Sequence, residues 1–202
     1  DRLSKDRSAI DFLQFPRETL QYKAGDCDDL AILYCALLES LGVETAFITV
    51  PGHIYAAFDL GLTPEAAVKW FSNPAELIVQ QGQVWLPVEV TELEGGFLRA
   101  WQSGAKSWRD SLPAGQARLL SVQEAWVVYE PVGYKGERVD LNLPAATVVS
   151  SSYLEELVRF IDRELAPQVA KLKAEISRSG GSPAVINRLG VLYATYGRLE
   201  LA

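Results

Sequence analysis

From residue 28 to 41 the apolar positions fall at Leu30, Leu33, Tyr34, Leu37, Leu38 and Leu41. Steps of three and four predict an amphipathic helix, and Gly42 marks its stop. Asp26 is the natural N-cap, because its carboxylate can accept a bond from a free N–H of the first turn. Cys27 is thereby placed at a helix N-terminus. The pattern then changes to β-branched and aromatic runs over 43–50 and 53–60, separated only by Pro51-Gly52, which predicts a hairpin. A third run, 84–90, alternates with period two. It puts Val84, Leu86, Val88 and Val90 on one face and Trp85 and Glu89 on the other.

Between the second and third runs, Thr63-Pro64-Glu65 opens a short helical stretch with Thr at N-cap and Pro at N1. Residues 61–83 therefore read as an excursion from the sheet edge. Residues 91–118 mix Gly, Ser and polar residues with Phe97, Trp101 and Trp108, which predicts a long, partly ordered loop, followed by a strand around 125–129. From Tyr153 a long helix carries Leu154, Leu157, Val158, Ile161, Leu165, Val169, Leu172 and Ile176 on one stripe, with a kink expected at Pro167. Ser, Gly and Pro over 177–183 break it. The expected fold class is α+β, with a main domain over residues 1–150 and a helical extension over 151–202.

Composition narrows the function. Hydrophobic residues make up 49% of the 202 and charged residues 22%, the profile of a packed globule. A net charge of -7 without any Lys/Arg cluster speaks against nucleic acid as a partner, since that affinity comes largely from neutralising phosphates. No apolar run approaches the roughly 18 residues of a membrane span. Cys27 and Cys35 share the predicted helix, where eight residues rise about 12 Å, beyond the ~7 Å Cα limit for a disulfide. They are expected as separate thiols. Two Cys and one His are also too few for a four-ligand structural zinc site.

A thiol works as a nucleophile in its thiolate form, which a helix N-terminus and a nearby imidazolium both favour. Cys27 has the first, while Asp26, Asp28 and Asp29 oppose a new anion beside them. A close cation is needed. The chain has a single histidine, so any Cys–His pair must use His53, which follows the Pro51-Gly52 turn at the start of a strand. A carboxylate from a neighbouring strand, Glu89, could accept the imidazole N–H, fix its tautomer and stabilise the imidazolium. Cys35, among apolar neighbours, reads as a small buried hydrophobe.

Four segments strengthen this reading: Ala24-Gly25-Asp26-Cys27-Asp28-Asp29-Leu30-Ala31, the helix end Leu41-Gly42-Val43, Pro51-Gly52-His53-Ile54-Tyr55, and Val84-Trp85-Leu86-Pro87-Val88-Glu89-Val90-Thr91. In order and spacing they resemble the transglutaminase-like superfamily. In that family a Gly-x-Cys-x-Asp helix start, a helix ending in Leu-Gly, a strand-borne His and a Trp-x-x-x-Asp strand follow one another. The resemblance spans about residues 18–92 and implies a papain-like/transglutaminase-like core, with a Cys-bearing helix packed on an antiparallel sheet. It gives Cys27 the role of nucleophile, His53 that of base and Glu89 that of the orienting acid, where the family usually has Asp. Gln21 lies six residues before Cys27, the spacing of the oxyanion-hole glutamine in papain-like proteases. With the Cys27 N–H it would bind a developing oxyanion. Some bacterial relatives bind calcium through acidic residues flanking the nucleophile, the positions of Asp26 and Asp28 here. Calcium wants six to eight oxygens, and the thiol chemistry itself requires no cofactor.

The implied reaction is acyl transfer from a peptide or glutamine-type amide through a Cys27 thioester. Water as acceptor makes a cysteine peptidase or amidase, the favoured reading; an amine makes a transglutaminase. The partner is then a protein or peptide substrate. The rival reading is a catalytically silent scaffold that kept the fold and binds peptides.

At the end of the chain, Ile186, Leu189, Gly190, Tyr193, Gly197 and Ala202 resemble the first helix and turn of a tetratricopeptide repeat. A lone repeat cannot bury its own face, so this resemblance implies a helical array that engages protein partners.

Overall fold

A computed structural model describes residues 12–133, 141 and 143–202. The described residues form a mixed α+β structure of seven α-helices and five strands. The chain divides into two compact units, the first running to Pro64 and from Ala75 to Leu143, the second comprising Glu65–Pro74 and Pro144–Ala202.

The first unit opens with α1 (Pro16–Tyr22) and α2 (Cys27–Ser40). Asp26 caps α2 as expected, in a capping box whose return half is Asp29: its carboxylate accepts from the Asp26 N–H at 3.3 Å. The hairpin β1 (Thr45–Val50) and β2 (His53–Asp59) turns at Pro51-Gly52, where Gly52 has φ of +71°. Val50 pairs with His53 and Ile48 with Tyr55. β3 (Ile78–Gln80) and β4 (Gln83–Val88) follow, and with β5 (Arg118–Ser121) they complete an antiparallel sheet of order β3-β4-β2-β1-β5. The sheet curls so that a side chain of one edge strand reaches the other, Gln80 Nε2 donating to the Leu119 carbonyl at 3.2 Å.

Three expectations are corrected here. Residues 91–118 are not a loop: α4 (Gly96–Ser111) occupies most of that stretch. Phe97, Ala100, Trp101, Gly104 and Trp108 are spaced by three and four, and Gly104, read as a loop marker, is a packing residue. A Cβ there would sit 3.1 Å from the Pro87 carbonyl carbon and 3.1 Å from the Glu89 nitrogen. The strand expected at 125–129 is helix α5 (Val122–Val128), preceded by β5. Ser121 and Glu124 form a capping box, Ser121 Oγ accepting from the Glu124 N–H at 3.1 Å. That local signal overrides the apolar run. Finally, the third run, expected as a strand over 84–90, is a shorter strand. Trp85 is as buried as Val84 and Leu86, and β4 ends at Val88, so Glu89 is the first residue beyond it.

Pro87 is tolerated in β4 because β3 pairs only with residues 83–85. Past that point the β4 edge has no strand partner to want its missing N–H. α4 covers it instead, and the Ala100 carbonyl accepts the Glu89 N–H at 3.0 Å.

α3 (Pro64–Trp70), in the second unit from Glu65 onward, leads to Phe71, whose ring meets Phe160 edge-on at 6.2 Å, and to Ser72, whose N–H is accepted by the buried Glu164 carboxylate. Phe160 and Glu164 belong to α6 (Ala146–Arg178), which starts seven residues before the expected Tyr153 and carries Pro167 within it. The predicted apolar stripe is covered at Leu165 and Leu172, whereas Leu154 and Val158 stay exposed. α7 (Pro183–Thr195) follows with Pro183 at its start, and Arg188 pairs with Glu175 at 3.2 Å. Among the described residues no helix is long and apolar enough to cross a membrane.

Candidate active site

α2 and β1 are antiparallel neighbours of nearly equal length: 14 helical residues rise about 21 Å, and six strand residues about 20 Å. Cys27, at the start of α2, therefore comes level with Val50 at the end of β1. His53 opens β2 opposite Val50. β4 runs back along β2 with Val88 opposite Ala56, which delivers Glu89 to that same end. Three elements distant in sequence thus bring Cys27, His53 and Glu89 to one end of the sheet.

His53 and Glu89 are joined directly. Nε2 and Oε2 lie 2.7 Å apart, with side-chain exposures of 28% and 12%. A carboxylate oxygen accepts, so in this contact Nε2 is the donor, and in the neutral imidazole Nδ1 is then the acceptor nitrogen. The other carboxylate oxygen, Oε1, accepts from Thr91 Oγ1 at 2.6 Å and from the Thr91 N–H at 3.2 Å. The imidazole is also braced on its face by the Tyr55 ring, 5.8 Å away and 25° from parallel. The Tyr55 hydroxyl donates to the Gly104 carbonyl at 3.0 Å, and burial pushes its phenol well above the ordinary range.

Cys27 is a free, half-buried thiol at the first position of α2. No hydrogen bond joins its sulfur to the imidazole among the described residues. Its position depends on Gly25 and Asp29. A Cβ on Gly25 would fall 2.8 Å from the Asp29 Cβ and 3.1 Å from Thr19 Cγ2, so only glycine lets α1 lie this close to the first turn of α2. The buried Asp29 also accepts from the Gln14 N–H at 2.8 Å and from Gln14 Nε2 at 2.6 Å, tying the segment before α1 to the Cys-bearing helix. Gln21 is exposed in the last turn of α1.

The ligand atoms of Asp26, Asp28 and Asp29 lie within 4.8 Å of one another. Asp29 spends its oxygens on Gln14 and the Asp26 N–H, and Asp28 Oδ1 accepts the Asp29 N–H at 3.0 Å. The carboxylate oxygens left over fall short of the six to eight that calcium wants. Cys35 is buried against β1, 3.9 Å from the Ala46 carbonyl, and burial pushes its thiol up to about 12.

Sequence reasoning missed Thr91, Tyr55, Gly104 and Asp29 as supporting residues. Tyr55 stands two residues from His53 in β2, on the same strand face by period two, and that spacing was the available signal; Thr91 lies past the end of β4, where no strand period applies. Gly104 is set by tertiary packing and had none.

Comparison of the chain with protein-family models, curated proteins and solved structures finds no match.

Proposed function

We propose that this chain is a thiol-dependent acyl-transfer enzyme acting on peptide or glutamine-type amides, with hydrolysis as its main outcome. The observation that carries the reading is the 2.7 Å His53–Glu89 pair, held at the sheet end where α2 presents Cys27. In the first half-reaction Sγ attacks the amide carbonyl carbon as Nδ1 of His53 takes the thiol proton. The imidazolium so formed is stabilised by Glu89. The tetrahedral oxyanion draws on the Cys27 N–H at the helix N-terminus, with Gln21 as the second donor. The C–N bond then breaks, the imidazolium returns its proton to the leaving amine, and a Cys27 thioester remains. Water attacks that thioester with His53 again as base, the C–S bond breaks, and a carboxylic acid and the free thiol result. An amine in place of water makes a new amide.

The papain-like/transglutaminase-like core belongs to this proposal, supported by the order of Cys helix, His strand and acid strand. The repeat-like α7 is proposed as the start of a helical array that brings protein partners to the enzyme.

An activated ester, p-nitrophenyl acetate, tests the chemistry without a known substrate. The expected result is a burst of about one p-nitrophenolate per chain, lost in Cys27→Ala and strongly slowed in His53→Ala. Absence of a burst in the wild-type chain leaves the scaffold reading, in which the fold binds peptides without turnover.

A further inference from the structure

A groove of about 370 Å³ opens along α2, walled by Leu30, Tyr34 and Leu37 on one side and by Val88 to Val90 and Leu93 on the other. Both walls lead back to the proposed catalytic group. Cys27, Leu30, Tyr34 and Leu37 succeed one another at steps of three, four and three, one face of one helix. Leu30 is about 4.5 Å along the axis from Cys27, so the apolar wall begins within one helical turn of the thiol-bearing residue. The opposite wall includes Glu89, the residue that holds His53. The α2 wall has no charged lining residue, and Glu92 on the opposite rim is paired with Arg99 at 3.1 Å. Leu37 and Leu93 are 51% and 75% exposed, so the two walls present contiguous apolar surface to solvent across one groove, the kind of surface that marks a binding site.

Resting on the acyl-transfer reading, we infer that this groove is the specificity pocket of the site. It takes a large apolar side chain of the acyl donor next to the bond that Cys27 attacks. The substrate class is then a peptide amide with an aliphatic or aromatic residue at that position, rather than a charged or glycine-rich one. Such a side chain removes apolar surface from water on both walls, while the backbone of the donor is left at the thiol.

The test compares two alkylating reagents on the full chain, iodoacetamide and N-hexyl-iodoacetamide, each rate divided by its rate on free N-acetylcysteine. The hexyl tail models the apolar side chain. We expect Cys27 to react about tenfold faster with the hexyl reagent, for a few buried methylenes. Replacing both exposed walls, Leu37→Ser with Leu93→Ser, should bring the ratio close to one, and Val127→Ser on α5 should keep it. Equal normalised rates in the wild-type chain, or an advantage that survives Leu37→Ser with Leu93→Ser, overturn the pocket. Failure of the underlying enzyme reading appears separately, as an iodoacetamide rate that His53→Ala leaves unchanged.

Discussion

Glu89 is bonded at both oxygens, through Oε2 to His53 and through Oε1 to Thr91, so its charge and its aim can be varied independently. Glu89→Gln keeps the shape but loses the charge that stabilises the imidazolium. Acylation by p-nitrophenyl acetate should fall about tenfold or more, since even 1.4 kcal/mol is a factor of ten. Thr91→Val keeps the charge and releases its aim, so a smaller loss is expected, and equal activity in all three chains would show that the pair is structural only. The second thiol yields a prediction of its own. Burial raises the Cys35 thiol from 9.0 to about 12 and the Tyr34 phenol from 10.0 to about 12. Both groups lose their protons more easily when unfolded, so their stabilising effect is complete below about pH 9 and is lost as pH rises towards 12. Stability measured by urea unfolding should decline across that window, and Cys35→Ala should flatten the start of the decline. At pH 8 the folded chain should take up iodoacetamide only at Cys27, the unfolded chain at both cysteines.

At the level of elements, α4 locks the acid in place. Its Ala100 carbonyl holds the Glu89 N–H, its Gly104 lies against Pro87, and the Gly104 carbonyl receives the Tyr55 hydroxyl. Gly104→Val forces side-chain atoms against the backbone of residues 87–89, which cannot yield as a side-chain tip could. A loss of about 2 kcal/mol is expected in thermal or urea unfolding, with acylation reduced in the fraction that stays folded. A stable, fully active Gly104→Val chain would mean that α4 has no part in placing Glu89. α4 is also the element that sequence reading got wrong, and the reason is physical. Gly95, Gly96, Ser103, Gly104 and Ser107 are poor helix formers, and the helix forms because Trp101 and Ala105 are buried against the sheet. α2 and the β1–β2 hairpin were legible because cap, period and turn all agree locally. β3 was missed because three residues are too few to show a period.

The whole molecule joins its two units through an inserted segment: Glu65–Pro74 leaves the first unit between β2 and β3 and packs in the second, Phe71 on Phe160 and Ser72 on Glu164. A chain cut after Leu143 removes both partners, so residues 65–74 should become the first site of limited proteolysis, while the intact chain resists there. Cleavage elsewhere first would show that α6 does not protect the segment. Of the excursion read over 61–83, the inserted part was visible in sequence, while residues 78–80 return to the sheet as β3; the docking of the inserted part was not visible, because Phe160 and Glu164 lie about 90 positions away and no local pattern encodes that pairing. The His53–Glu89 pair was legible for the opposite reason. The chain has a single histidine, and the hairpin and the third run set its strand beside the one that leads to Glu89. The decisive measurement is the rate of Cys27 alkylation by iodoacetamide across pH, in the wild-type chain and in His53→Ala. The helix dipole supplies only about 0.3–1 kcal/mol towards an anion, and three carboxylates oppose it. His53→Ala should therefore slow alkylation near neutral pH by about tenfold or more, with Cys35→Ser leaving it unchanged. An identical pH profile in wild type and His53→Ala would contradict the coupling of thiol and imidazole on which the proposed chemistry stands.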